Sequence, residues 1–458
     1  MEKKRSSFTG RIGFVLAAAG SAVGLGNLWR FPYLAAKYGG GIFILVYLIL
    51  TVTFGFALMI TEIAIGRKTG LSCIGAYRAL DKRFGFLGWL ASVVPVLIVP
   101  YYCVIGGWVI KYFWEFLIGN GGAIAERSGD YFNEFIGVVN PGLSGNPMLW
   151  FVMFTLLTAV VVIFGVQKGI EKVSRIMMPI LVVLSVVIAL FVLTIPNAMA
   201  GIKYYLIPDF SNFSVTTVLG AVGQLFYSMS LAMGIMITYG SYMKKDSGLE
   251  KAVSQIELFD AGIALLAGFM IIPAVVAFNG GSAEGINAGP GLMFVTLPQV
   301  FNAMGFGRII GTAFFLLVLF AALTSAISLM ETVVSILMDK LGWKRLPSTI
   351  VVVVMILLLG TLSCLGYGPL ASVQIIGMAF LDFFDFITNS VIMPIVAILT
   401  CILIGHIVGV KVVHEEVLLN GEFRRQKLYD VMIRWIAPIL LVAILAGELL
   451  KNMGVISI

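Results

Sequence analysis

The sequence predicts an all-α integral membrane protein of eleven transmembrane helices, arranged as a 5+5 inverted repeat with helices 1 and 6 broken in mid-membrane plus one extra helix. Three observations carry that prediction. The 458 residues are 60% hydrophobic and 12% charged, with a mean hydropathy of +1.04, whereas a soluble domain runs at roughly 45–50% apolar and about 25% charged. Apolar runs long enough to cross a bilayer recur from residue 12 to residue 453. The chain also holds 51 glycines and 15 prolines, which membrane helices tolerate where neighbouring helices re-satisfy the freed backbone groups.

In order, the expected spans are 12–36, 41–65, 86–117, 147–165, 173–195, 215–240, 252–278, 307–337, 347–366, 370–405 and 431–453. Residues 118–146, rich in Gly, Asn and acids, read as an outer loop. Residues 279–304, with Gly289-Pro290-Gly291, read as a second outer loop whose short helices either dip back as a lid or simply connect. The one strongly charged stretch, 413–430, reads as a solvated inner loop. The net charge of +7 is topological rather than a nucleic-acid footprint, because most of the 30 lysines and arginines fall in loops on one side. The positive-inside rule then places the N-terminus in the cytoplasm, and eleven spans leave the C-terminus outside the cell membrane. The first span carries no cleavage-site pattern and is expected to be retained.

Cys73, Cys103, Cys364 and Cys401 lack CxxC spacing and read as small buried hydrophobes. His406 and His414 have no partner cluster in sequence, and no span holds the nucleophile, base or metal set that an embedded enzyme needs. A channel would need a continuous polar lining, whereas the polar residues here are isolated at one depth.

Two spans contradict their own helices. The first holds Gly20-Ser21-Ala22-Val23-Gly24-Leu25-Gly26-Asn27, and the sixth holds Tyr227-Ser228-Met229-Ser230-Leu231-Ala232-Met233-Gly234 at the matching depth. An interior glycine costs roughly 1 kcal/mol of helix propensity relative to alanine. Close helix packing also recruits glycine, but interruption of both spans at matching positions favours unwinding. Each broken span opens a set of five, so the halves run about 9–196 and 212–406, with an extra helix at 431–453, within one domain over 1–458. Unwound backbone in mid-membrane supplies carbonyls for a cation and amides for an anion. Asn27, Ser228, Thr324 and Ser325 add the oxygen ligands that hard cations prefer. Glu62, Asp260, Asp382 and Asp385, with Arg30 beyond the first break, are ionisable groups at membrane depth and functional candidates on that ground. Glu62 is expected to accept hydrogen bonds from amides freed by the breaks.

The run Arg11-Ile12-Gly13-Phe14 through Gly20-Ser21-Ala22-Val23-Gly24-Leu25-Gly26-Asn27-Leu28-Trp29-Arg30-Phe31-Pro32-Tyr33, then Gly39-Gly40-Gly41, resembles the first-span signature of the neurotransmitter:sodium symporter family, whose bacterial amino-acid transporters have the LeuT-type fold. Pro100-Tyr101-Tyr102, Ala221 to Ser230 and Ala321-Ala322-Leu323-Thr324-Ser325 extend the resemblance in order over nearly the whole chain. It implies two sodium ions: one at the Ala22 carbonyl, Asn27, Ser228 and Asp260 together with the substrate carboxylate, the other at the carbonyls of Gly20, Val23 and Ala321 with the hydroxyls of Thr324 and Ser325. The substrate carboxylate would meet the amides of Gly24 and Gly26 and the hydroxyl of Tyr102, and its ammonium the carbonyls of the broken sixth span. Ile98, Tyr227, Ser230, Met233, Ser325 and Leu329 would shape the side-chain pocket, and Ala22 and Ser228 would contact the substrate as well as the first ion. Arg30 and Asp385, with Tyr227 as lid, would form the outer gate, and Arg5, Tyr242 and Asp339 the inner one.

Three departures sharpen the expectation. Amine transporters of the family carry an aspartate where this chain has Gly24, which favours an amino-acid substrate. Many members have twelve spans, which leaves the oligomeric state open here. Asp260 stands where asparagine is usual, beside Tyr47, Gln224 and Ser228, the positions that line a chloride site in many relatives. A fixed carboxylate there would replace the anion, so no chloride requirement is expected, and it could carry a proton on the empty return step. The expected function is sodium-coupled symport of a neutral hydrophobic or aromatic L-amino acid, with a lipid bilayer and no nucleic acid as partners.

Overall fold

The computed structural model describes residues 7–139, 145–281 and 289–452. Among them, eight helices are long and apolar enough to cross a membrane: Gly41–Thr69, Lys82–Ile118, Val166–Val192, Leu249–Phe278, Gly307–Leu341, Arg345–Leu365, Phe380–Ile407 and Gln426–Lys451. A further apolar unit is bent by 54° where Arg11–Ala22 meets Gly26–Lys37. Pro147–Ile163 and Val215–Ser228 are shorter apolar helices, and the second resumes after an interruption as Ile235–Ser241.

Local chemistry sets several of these boundaries. Asn146 Oδ1 accepts from the Met148 amide at 2.9 Å, with Pro147 in the first turn, and Ser214 Oγ accepts from the Thr217 amide at 3.2 Å. Each cap satisfies an amide that has no intrahelical partner. The expected span 370–405 starts instead at Phe380, because Gly366, Gly368, Pro369 and Gly377 hold the preceding residues in turns. The expected span 173–195 starts earlier, in a π-helical turn over Val166–Glu171.

The Gly307–Leu341 helix lies at the centre, with 83% of its most apolar window buried, whereas Gln426–Lys451 is peripheral at 28%. That last helix turns Trp435, Ile439 and Val442 outward, an apolar exterior that suits lipid rather than water. Glycines set one tight crossing. A Cβ on Gly66 would lie 1.9 Å from the Ile237 carbonyl oxygen, and one on Gly240 2.4 Å from that of Ile63, so the Phe56–Thr69 and Ile235–Ser241 helices touch backbone to backbone.

Two connecting segments fold onto the bundle. Leu292–Ala303 packs inward through Phe294, stacked on Phe132 at 5.2 Å and edge-on to Trp108 at 6.0 Å. The charged stretch 413–430 departs from the solvated loop expected of it. Val413, Val417 and Tyr429 are buried, and Glu416 accepts from Arg67 at 3.0 Å and from Lys245 at 2.9 Å. Arg425 reaches Glu257 at 3.2 Å and lies 3.4 Å over the Phe56 ring. Glu416 and Arg425 thus pair with partners far away in sequence, while Leu418 and Leu419 stay exposed.

Candidate substrate and ion site at the two broken helices

At the first break Val23 leaves the helix with φ −71° and ψ 103°. Side chains replace the lost helical hydrogen bonds, as an apolar surround requires. The Gly24 amide donates to Asn27 Oδ1 at 3.0 Å and the Leu25 amide to the Tyr102 hydroxyl at 3.4 Å. The Gly26 carbonyl accepts from Gln224 Nε2 at 3.0 Å. Ser325 Oγ faces the carbonyls of Ser21, Val23 and Gly20 at 3.1, 3.2 and 3.4 Å.

The second break spans Met229–Gly234 and uses a different device. Ser230, Ala232 and Gly234 have φ of 54°, 60° and 72°, which for non-glycine residues persists only when surroundings impose it. The imposing contact is Glu62, whose Oε1 accepts from the Ala232 amide at 2.6 Å. Ser230 Oγ also donates to the Ser21 carbonyl at 3.0 Å, joining the two breaks.

Around these breaks the expected ion-site residues fall into two groups. Asp260 is fully buried; its Oδ1 accepts from Asn27 Nδ2 at 2.8 Å and its Oδ2 from the hydroxyls of Tyr47 and Ser228, both at 3.2 Å. Gln224 does not join them: it serves Gly26, and its Oε1 is buried without a partner among the described residues. The second group gathers where the first broken helix meets Gly307–Leu341. Thr324 packs on Gly20 and donates to the carbonyls of Phe320 and Ala321 at 3.0 and 3.1 Å, next to Ser325 and the Val23 carbonyl. Carbonyl and hydroxyl oxygens shielded from water are the donor set of a hard cation.

Between the two groups lies a small cavity of about 30 Å³. All eleven residues expected to contact substrate line it: Ala22, Gly24, Gly26, Ile98, Tyr102, Tyr227, Ser228, Ser230, Met233, Ser325 and Leu329. Ser21, Leu25 and Ile235 line it as well and were not foreseen. They flank the foreseen residues in sequence, but which of them turns inward depends on how each break exits its helix. A side chain at Gly24 has no room, since a Cβ would lie 2.7 Å from Ser325 Oγ and 3.1 Å from the Tyr102 hydroxyl.

The gate residues are only partly brought together. Tyr227 lines both the central cavity and a wider one of about 510 Å³ that also holds Arg30 and Asp385. Arg30 and Asp385 form no ion pair within 4.0 Å: the guanidinium sits 5.2 Å over the Tyr227 ring, while Asp385 accepts from Tyr101 at 3.0 Å and Asn389 at 2.6 Å. At the other end Tyr242 donates to Glu331 at 2.7 Å, Glu331 pairs with Arg345 at 2.5 Å, and Asp339 accepts from the Ser72 amide at 2.8 Å. Arg5 lies outside the described residues. Glu331 escaped the sequence reading although its signal was present, a carboxylate inside the apolar run 307–337.

Comparison with known proteins agrees with this geometry. The family model described as the sodium:neurotransmitter symporter family matches residues 5–120 and 125–455. An uncharacterized sodium-dependent transporter, YhdH, of Bacillus subtilis is 37% identical over 88% of this chain and 88% of its own length. An uncharacterized sodium-dependent transporter of Methanocaldococcus jannaschii is 32% identical over 96% and 90%. The fold is similar to that in the crystal structure of MhsT in complex with L-phenylalanine, with a TM-score of 0.86 and 38% identity over 97% of this chain and 100% of that one. The chain is a membrane transporter rather than an enzyme, and it belongs to the sodium:neurotransmitter symporter family.

Proposed function

We propose that this protein couples sodium movement to uptake of a neutral hydrophobic or aromatic L-amino acid across the cytoplasmic membrane by alternating access. The observation that carries the reading is the single cavity lined by all eleven expected substrate contacts, wedged between a carboxylate cluster at Asp260 and an oxygen cluster at Thr324 and Ser325. The Gly24 amide, held here by Asn27 Oδ1 and so needing to exchange that partner, and the Gly26 amide would meet a carboxylate at the start of the Gly26–Lys37 half-helix, where the helix dipole favours negative charge. With glycine at position 24 there is no side-chain carboxylate to balance an amine that brings none of its own. Ile98, Met233 and Leu329 give the cavity an apolar wall, and the L-phenylalanine complex of the similar MhsT is consistent with a large side chain. The observed volume corresponds to a closed site, so binding would require the wall to open.

In this reading one sodium ion sits among Ala22, Asn27, Ser228, Asp260 and the substrate, and a second among Gly20, Val23, Ala321, Thr324 and Ser325. Asp260 supplies the negative charge that chloride supplies elsewhere. The eight long helices, the bent pair, Pro147–Ile163 and the interrupted Val215–Ser241 make eleven spans, as one domain with halves about 9–196 and 212–406 and an extra helix at 431–453. The N-terminus is cytoplasmic and the C-terminus extracellular. Arg30, Asp385 and Tyr227 close the outer path, and Tyr242 and Asp339, with Arg5, the inner one.

Purified protein should be tested by thermal shift with each of the twenty amino acids in sodium and in potassium, followed by counterflow of the best ligand in vesicles. Sodium should tighten binding, because a shared carboxylate makes the coupling reciprocal, and leucine, phenylalanine or tryptophan should outrank glycine. Equal affinity in sodium and potassium would sink the proposal.

A further inference from the structure

Three serines close a hydrogen-bonded circuit beside the cavity, and a fourth joins it. Ser21 Oγ lies 2.7 Å from Ser328 Oγ, Ser328 Oγ donates to the Ser325 carbonyl at 2.7 Å, and Ser325 Oγ returns to the Ser21 carbonyl at 3.1 Å. Each hydroxyl has one proton. Because that of Ser328 goes to Ser325, Ser21 is the donor in the first bond, whose 2.7 Å is shorter than the 3.3 Å from Ser21 Oγ to its other acceptor, Ser230 Oγ. Ser230, from the other break, donates to the same Ser21 carbonyl at 3.0 Å. Ser21 is 2% exposed and Ser328 0%, so water does not compete for these bonds. Ser328 lines no part of the central cavity and is not among the expected ion contacts.

We propose that Ser328 is a positioning residue that latches the Arg11–Ala22 half-helix to Gly307–Leu341 through Ser21, and so sets how much sodium is needed to hold the N-terminal side of the pathway shut. The inference rests on the proposed sodium symport. A cation at Thr324 and Ser325 would take a lone pair of Ser325 Oγ, and its proton would then point away from the ion, toward Ser21. Sodium would thus strengthen one arm of the circuit, while the Ser21–Ser328 arm holds without it. Removing Ser328's hydroxyl leaves the ligand atoms of Thr324 and Ser325 in place but leaves only the Ser325 arm, the one sodium strengthens, to do the latching.

The test measures the sodium concentration for half-maximal amino-acid binding, and amino-acid affinity at saturating sodium, in the parent, Ser328→Ala, Ser21→Ala and the double variant. Ser328→Ala should raise the sodium requirement about fivefold, the worth of one net hydrogen bond, with amino-acid affinity at saturating sodium within about twofold of the parent. The double variant should need no more sodium than the worse single one, since the Ser21–Ser328 bond is already lost in each, although Ser21→Ala also loses its contact with Ser230. With Tyr242→Cys as the common background, thiol labelling should speed up on adding Ser328→Ala at low sodium. An unchanged sodium requirement in Ser328→Ala, or additive effects in the double variant, would overturn the latch. A parent that binds amino acid without sodium would instead remove the underlying reading, so the two failures are distinguishable.

Discussion

The two breaks solve one problem in different ways. The first, at Val23 to Leu25, stays on the allowed side of backbone space and is stitched by several neutral or weakly polar partners: Asn27, Tyr102, Gln224 and Ser325. The second, at Met229 to Gly234, puts two non-glycine residues at positive φ and depends on one buried carboxylate, Glu62. Distributed stitching leaves carbonyls and amides pointing into the cavity, where a substrate and ions can use them. A single strong acceptor fixes a strained turn and leaves little to spare. Both breaks line the cavity, but the first does so with backbone held by exchangeable partners and the second, through Ser228, Ser230 and Met233, from a turn held in one shape.

The contrast is open to attack at four residues. The largest effect should come from Gly24→Asp, which puts a carboxylate where a Cβ already lies 2.7 Å from Ser325 Oγ. Overpacking alone costs roughly 1–3 kcal/mol, and a buried charge adds to it, so amino-acid binding in a thermal-shift titration should vanish. Retained binding would show that the first break has slack. Next, Glu62→Ala leaves the Ala232 amide without its acceptor, at about 1.5–3 kcal/mol for a bond to a charged group. Melting should drop and transport should be lost even at saturating sodium, whereas Glu62→Gln, which keeps an acceptor oxygen, should be milder. Equal behaviour of the two variants would mean that the carboxylate charge, not the hydrogen bond, supports the second break.

Tyr102→Phe removes one of several partners at the first break and one expected contact to a substrate carboxylate. Affinity measured by equilibrium binding should weaken about tenfold while melting without substrate stays near the parent value. A large loss of melting would contradict distributed stitching. The smallest change is expected when chloride is replaced by gluconate: uptake by the parent should be indifferent to it. Asp260→Asn, which leaves Tyr47, Ser228 and Asn27 facing a neutral amide, should be impaired or newly chloride-dependent. A parent that stops in gluconate would end the account of Asp260 as a built-in anion.

The sequence alone determined that the chain is helical, membrane-embedded and interrupted near Val23 and near Ser230, because apolar length and misplaced glycines are local properties that a bilayer reads directly. The long first-span motif also identified the family, and with it the residues that the fold gathers around one cavity. What only the tertiary structure decided is which groups meet across the sequence. That Asp260 takes Asn27, Tyr47 and Ser228 while Gln224 turns to Gly26, that Tyr242 bonds to Glu331, and that 413–430 docks through Glu416 and Arg425 are long-range pairings. Periodicity carries no information about such pairings: a buried polar group needs a partner, but its identity depends on which helix faces pack together.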